Sequence, residues 1–165
     1  MANPHHLARL MRNIDEWNQW RQEYHEIQPD LRETSFKGAI LHRVDLSNAL
    51  LNGSDFSQAD LSEALLNGAD ARGAIFAGAN LSNADLQSMR LQAAIFSDAD
   101  LREAILTAAD LRDTDMCRAV LSGAELTGTN FCDANFSEAD LSKTDFSQAQ
   151  IKGARMEHAY FTSKA

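Results

Sequence analysis

The chain has 165 residues, enough for one domain with a sizeable core, and carries a formal net charge of −9. That acidic balance argues against nucleic acid as a direct ligand, because phosphate contacts need a basic footprint. No apolar run approaches the length that a membrane-spanning helix needs, so the sequence offers no candidate span.

The N-terminal stretch Met1 to Met11 has no apolar core of signal-peptide type. It carries His5, His6, Arg9 and Arg12 instead, and the expected compartment is the cytoplasm. Residues 3 to about 26 read as one α-helix. Asn3 is a good N-cap and Pro4 suits the first turn. Leu7, Leu10, Met11, Ile14, Trp17 and Tyr24 recur on one side at helical spacing. Trp20 falls off that stripe, which leaves it either packed against the next element or exposed. Pro29 closes the segment, so residues 1–28 are expected to form one element and residues 29–165 another.

From Leu31 to Phe161 every fifth residue is apolar, with no insertion or deletion, and Ala71 is the one small residue among the 27 positions. A second small residue stands two places before each: Ala49, Ala59, Ala64, Ala69, with Thr34, Thr114, Thr129 and Thr144 as common substitutes. A period of five fits neither the 3.6 of a helix nor the 2 of a strand. It fits a β-solenoid in which each unit makes one short side and one corner. Both apolar residues point inward, as alternate residues of an extended segment do. The phenylalanines set the coil length. Phe36, Phe56, Phe76, Phe96 and Phe136 are spaced by multiples of 20, so four units make one coil and 27 units make nearly seven. Stacked rings gain modestly beyond their buried area. The exposed strand edge and core end of a first coil need covering. The helix of residues 1–28 is therefore read as a cap.

The units Ala59-Asp60-Leu61-Ser62-Glu63, Ala79-Asn80-Leu81-Ser82-Asn83 and Ala139-Asp140-Leu141-Ser142-Lys143 resemble the pentapeptide repeat family, with its consensus A(D/N)LXX. The resemblance covers about four fifths of the chain and implies a right-handed quadrilateral β-helix. The run Trp17-Asn18-Gln19-Trp20-Arg21 resembles a leader found ahead of some bacterial pentapeptide repeats. Some members are rods of DNA-like width and charge that bind DNA gyrase or protect it from quinolones. This chain is similar to them in repeat and charge. It differs in having no insertion loop between coils and no C-terminal dimerisation helix.

Departures from the repeat point to candidate surfaces. Asp60, Glu63, Asp100, Glu103 and Asp140 share one side, partly offset by Arg43, Arg102 and Lys143. The next side carries Asp45, Asp85, Glu125 and Asp145 with no Lys or Arg. These faces are either a solvated surface or the DNA-like surface that the resemblance implies. Ile75 and Ile95 lie one coil apart on a third side with Ala77 beside them. They read as ordinary β-branched surface or as a small interaction patch. Ala71 should leave a hole in the core, and Met89, which replaces an inward Ala in the next coil, is expected to fill it. At the C-terminal end Met156, Tyr160 and Phe161 should leave an apolar coil end. It is covered either by the polar tail Thr162 to Ala165 or by a second copy in a two-fold dimer.

Chemistry-bearing constellations are lacking. Cys117 and Cys132 point outward on different sides, which disfavours a disulfide. His5, His6, His25, His42 and His158 show no metal-ligand spacing with them. No phosphate loop or nucleophile motif appears. Thr107 and Thr127 stack, but Ser47, Asn67, Gln87 and Ser147 break any threonine ladder of ice-binding type. The reading is a non-enzymatic rod without cofactor that acts on a protein partner, with DNA gyrase as the second candidate.

Overall fold

The computed structural model describes residues 1–162. It opens with two helices, α1 (Pro4–Arg12) and α2 (Ile14–Glu23), where one continuous helix was expected. The break is at Asn13, whose backbone is extended and whose side chain accepts the N–H of Glu16 as the N-cap of α2. Asp15 and Glu16 in the first turn suit the positive end of that new helix. The break also divides the expected apolar stripe. Leu10 and Trp17 are buried, whereas Met11 and Tyr24, predicted on the same side, are exposed.

Beyond Pro29 the chain winds in regular coils, four repeats to each. Every bridge among the described residues is parallel and joins positions 20 apart, from Asp30↔Leu50 to Asp140↔Tyr160. Each side contributes a single bridging residue, so these are corners joined by minimal strands. The unit Ala59 to Glu63 shows why the repeat is five long, because each of its N–H groups has one defined acceptor. Asp60 N–H donates to Ala39 O in the preceding coil at 2.9 Å. Leu61 and Glu63 donate to Asn80 O and Ser82 O in the following coil, at 2.7 and 3.0 Å. Ser62 N–H donates to the Oδ1 of Asp60 at 3.0 Å. The next unit's Ala64 closes the turn on Leu61 O at 3.1 Å. Asp or Asn before the large residue therefore completes the backbone accounting that a folded chain requires. The second turn residue takes positive φ, as the third position of a type II turn demands. Glu63 has φ 56°, and at Gly123, where φ is 77°, the Glu103 carboxylate fills the place a Cβ would need.

Inside, Phe36, Phe56, Phe76 and Phe96 form a stacked column with ring centroids 4.9, 5.1 and 4.8 Å apart. The Leu columns beside it are fully buried. Inward hydroxyls find carbonyls: Ser54 donates to Leu31 O, Thr114 to Leu111 O and Thr129 to Leu106 O, each at 2.8 Å. Near the C-terminal end the core becomes phenylalanine-rich, where Phe131, Phe136 and Phe146 pack edge to face and tilted.

The two helices close two of the four edges of the first coil with specific donors and acceptors. Trp17 Nε1 donates to Asp45 O at 2.7 Å, and Asn18 accepts from Asp45 N while donating to Arg43 O. Arg21 donates to Ile27 O and Ser47 O, and His6 Nδ1 accepts the N–H of Asp30. Trp20 does not stay exposed. It lies 5.1 Å from Trp17 and 5.5 Å from His6, with the guanidinium groups of Arg9 and Arg21 over its ring at 5.2 and 5.9 Å. The edges at Ser35 and Ile40 have no such partner among the described residues, and Ile40 is 79 % exposed there.

Candidate interaction surfaces

The sides of the rod differ in chemistry because each bridging residue faces out. On the first acidic side the order is Ile40, Asp60, Asn80, Asp100, Val120, Asp140 and Tyr160. Much of its charge is spoken for. Arg102 chelates both oxygens of Asp100, Arg43 pairs with Glu63 at 2.7 Å, and Lys143 stands with Arg102 and Glu103 around one shallow depression. The Ser62 hydroxyl hydrogen-bonded to Asp60 holds that carboxyl below its ordinary value, and the Arg102 guanidinium does the same for Asp100. Asp140 takes the N–H of Ser142 in its own turn.

The second acidic side runs Asp45, Leu65, Asp85, Ile105 and Glu125 through successive bridges, with Asp145 one coil further on. Asp45, Asp85 and Asp145 each accept the N–H two residues ahead. No Lys or Arg stands in the bridging or turn positions of this side. Leu65 is exposed and Ile105 half-buried, so aliphatic side chains alternate with carboxylates. By spacing alone these two residues look scattered; the coil register is what sets them in one row.

The remaining sides are less charged. Asp30, Asp70 and Asp110 each hold the Arg two residues on, at Arg32, Arg72 and Arg112. Burial pushes Asp70 up, but hydrogen bonds from Arg72 and Asn52 outweigh it and leave the carboxyl low. Ile75 bridges Ile95, and Ile75 and Ala77 are half-buried beside the exposed Ile95. Cys117 and Cys132 are both free. At the C-terminal end Tyr160 and Phe161 are more than half exposed, Met156 is half-buried, and Phe161 packs 6.4 Å from Phe146. The polar tail expected across this end lies outside the described residues from Ser163 onward.

A common motif underlies all four sides. Eight copies of the pentapeptide repeat model match the chain over residues 30–53, 54–92, 90–123 and 124–163. The chain belongs to the pentapeptide repeat family. Pentapeptide repeat proteins form right-handed quadrilateral β-helices, and the bridging of positions 20 apart agrees with four units per turn. Among solved structures, a pentapeptide repeat protein from the Arabidopsis thaliana thylakoid lumen is 29 % identical over 66 % of this chain and 69 % of its own, with a TM-score of 0.56. A pentapeptide repeat protein from Nostoc PCC 7120 is 30 % identical over 62 % of this chain and 84 % of its own, with a TM-score of 0.48. Full-length QnrB1, a plasmid-mediated fluoroquinolone resistance protein, is 16 % identical over 79 % of this chain and 81 % of its own, with a TM-score of 0.36. Curated proteins give no sequence match. No helix among the described residues is long and apolar enough to cross a membrane, and no group of His, Cys, Asp and Glu among them could hold a metal ion.

Proposed function

We propose that this pentapeptide repeat rod is a non-enzymatic protein-interaction module whose working surface is the side of Asp45, Asp85, Glu125 and Asp145. The observation that carries the reading is the alternation on that side: carboxylates two coils apart from Asp45 to Glu125, with Leu65 and Ile105 between them. At ~4.8 Å per coil, successive carboxylates stand ~10 Å apart. A partner with a basic and aliphatic face can place cations on the carboxylates and apolar groups on Leu65 and Ile105. Residues 1–28 serve as the cap of the rod, and the nearly seven coils of residues 29–165 serve as its body. The test is affinity capture from the native lysate on wild type and on the Asp85→Lys and Ile105→Lys variants. A partner held by wild type and lost by both variants is the expected result; equal capture by all three overturns the choice of surface.

A second reading, a DNA-like surface for DNA gyrase, is favoured by the distribution of charge. Residues 1–28 carry a net charge of −1, so −8 of the net −9 belongs to the rod of residues 29–165. Spread over about 30 Å, that is roughly one charge per ~4 Å, a little under half the axial density of duplex DNA. A gyrase supercoiling assay with and without a quinolone tests it, and no effect at large molar excess removes it. The coil end at Met156, Tyr160 and Phe161 is proposed as a self-association surface, since two copies would bury both apolar ends at once.

A further inference from the structure

The first coil is closed on two of its sides and open on the other two. Asp60 shows how a bridging residue meets the coil before it: it donates to Ala39 O at 2.9 Å and accepts from Leu41 N–H at 2.7 Å. At the start of the rod the helices imitate that missing coil. Asp30 donates to His6 Nδ1 and accepts from Asn3 N–H. Asp45 donates to Asn18 Oδ1 and accepts from Trp17 Nε1. Among the described residues nothing does this for Ser35 or Ile40, and the N–H and carbonyl of both stay unpaired. Neither residue takes the turn N–H that Asp60 takes from Ser62, so the N–H groups of Lys37 and His42 also lack an acceptor among those residues.

This edge borders an apolar groove. Leu10, Met11 and Ile14, at the break between the helices, face Ala39, Ile40 and Leu41 across a cleft of about 280 Å³. Met11 and Ile40 are exposed on its rim. The local charge is opposite in sign to that of the rod. Residues 35–43 hold Lys37, His42 and Arg43 and no acid. Arg43 pairs with Glu63 and Arg12 with Glu16, whereas Lys37 has no ion pair among the described residues. An open strand edge is completed by an extended segment of another chain. A second rod cannot stack flush on this end, because Leu10 and Trp17 already cover it in one buried cluster with Phe36 and Leu41. A single slim segment fits beside the helices.

We propose that the Ser35–Ile40 edge takes up an acidic extended segment of a protein partner by strand addition. The segment gives a carbonyl to the N–H of each bridging residue and an N–H to its carbonyl. It sets an apolar side chain in the groove and brings a carboxylate to Lys37. The rod itself contains a stretch of this chemistry. Ser54 to Glu63 carries Asp55, Asp60 and Glu63 without a base. In place, Ser54 O and Ala59 O accept from Ile75 and Asn80, and Phe56 and Leu61 donate back to them. Ile75 and Asn80 stand in the same rows as Ser35 and Ile40, so a free peptide of this sequence has the pattern that the open edge needs.

The test is an NMR titration of the isotope-labelled full chain with the synthetic peptide Ser54 to Glu63. The amide signals of Ser35, Lys37, Ile40 and His42 should shift together and saturate. A scrambled peptide, and one N-methylated at Leu61 so that it cannot donate to Ile40 O, should each bind at least about tenfold more weakly. Ile40→Asp places in this row the residue that Asp60, Asp100 and Asp140 already supply, so the rod should fold unchanged. It and Lys37→Glu should each weaken binding at least about tenfold. The proposal is overturned if the four amides stay still at millimolar peptide, if the scrambled or N-methylated peptide binds equally well, or if both variants bind like wild type. Signals of Ser35 and Ile40 that move on dilution of the protein alone would assign the edge to a second copy of the chain and overturn it too.

Discussion

Arg21 offers the sharpest test of how the helices hold the first coil. Its guanidinium is almost fully buried and bridges Ile27 O at 2.7 Å and Ser47 O at 2.9 Å, 5.9 Å from the ring of Trp20. Arg21→Met keeps the apolar stem and removes both donors. A hydrogen bond to a charged group contributes about 1.5–3 kcal/mol, and the cation–π contact about 1 kcal/mol. Relief of the desolvated guanidinium, one of whose nitrogens has no partner, offsets part of that loss. The net expectation is a loss of about 3 kcal/mol. In a chain of this size that lowers the melting temperature by roughly 6–12 °C. Guanidinium denaturation should be followed by Trp fluorescence, which reports on α2 because Trp17 and Trp20 are the protein's two tryptophans. Circular dichroism follows the coils in parallel. A loss below about 1 kcal/mol in both signals would refute the view that these backbone bonds anchor the cap.

Three further outcomes are expected. Met89 and Ala71 are both fully buried in consecutive coils, so Met89→Ala should cost about 2 kcal/mol or more; an unchanged melting temperature removes the idea that Met89 fills the space beside Ala71. Asp55, Asp60, Asp100 and Asp110 have carboxyls held below the ordinary value of 3.8, by hydrogen bonds from Ser57, Ser62, Arg102 and Arg112 respectively. Their stabilisation is complete above 3.8 and is lost as pH falls through the lower folded values, so melting temperature should hold from about pH 6 to about pH 4 and drop below that. If the C-terminal coil end self-associates, wild type should scatter light as a dimer at tens of micromolar. Phe161→Asp or Tyr160→Asp should then be monomeric with unchanged circular dichroism, and a monomeric wild type ends the proposal.

Some of this architecture can be read in the residues and some cannot. The Phe36 to Phe96 column is legible because inward identity must repeat with the coil, and stacked rings confirm the four-repeat turn. The break at Asn13 is also readable in principle: Asn13 followed by Glu16 has the spacing of a capping box, but the continuous apolar stripe through Leu10 and Trp17 masks it. Asn18 and Arg21 look like ordinary polar surface, and only the apposition of α2 with the first coil shows that they serve its edge. The turned peptide at Gln148 leaves no sign in its own residue type. Its departure shows only in the backbone, where Gly128 donates to Gln148 O and not to Ser147 O, so a single turn read alone cannot reveal it.

The bridging acids serve two demands that pull in opposite directions. Each turn gains from an Asp or Asn, because its side-chain oxygen takes the one N–H the coils leave over. Stacking Asp on Asp at strand spacing opposes pairing by about 0.2–1 kcal/mol per contact. The chain meets both demands by spacing acids two coils apart: Asp30, Asp70 and Asp110 on one side, Asp60, Asp100 and Asp140 on another, Asp45, Asp85 and Glu125 on a third. Intervening coils use Asn80, which keeps the turn bond without charge, or Leu50, Leu65, Ile105 and Val120, which give it up. Acidic content in this rod is thus set first by turn chemistry and limited by repulsion. A charge pattern denser than one acid per two coils on a side needs a separate cause. Asp145 after Glu125 is the one pair of bridging positions at which that limit is exceeded.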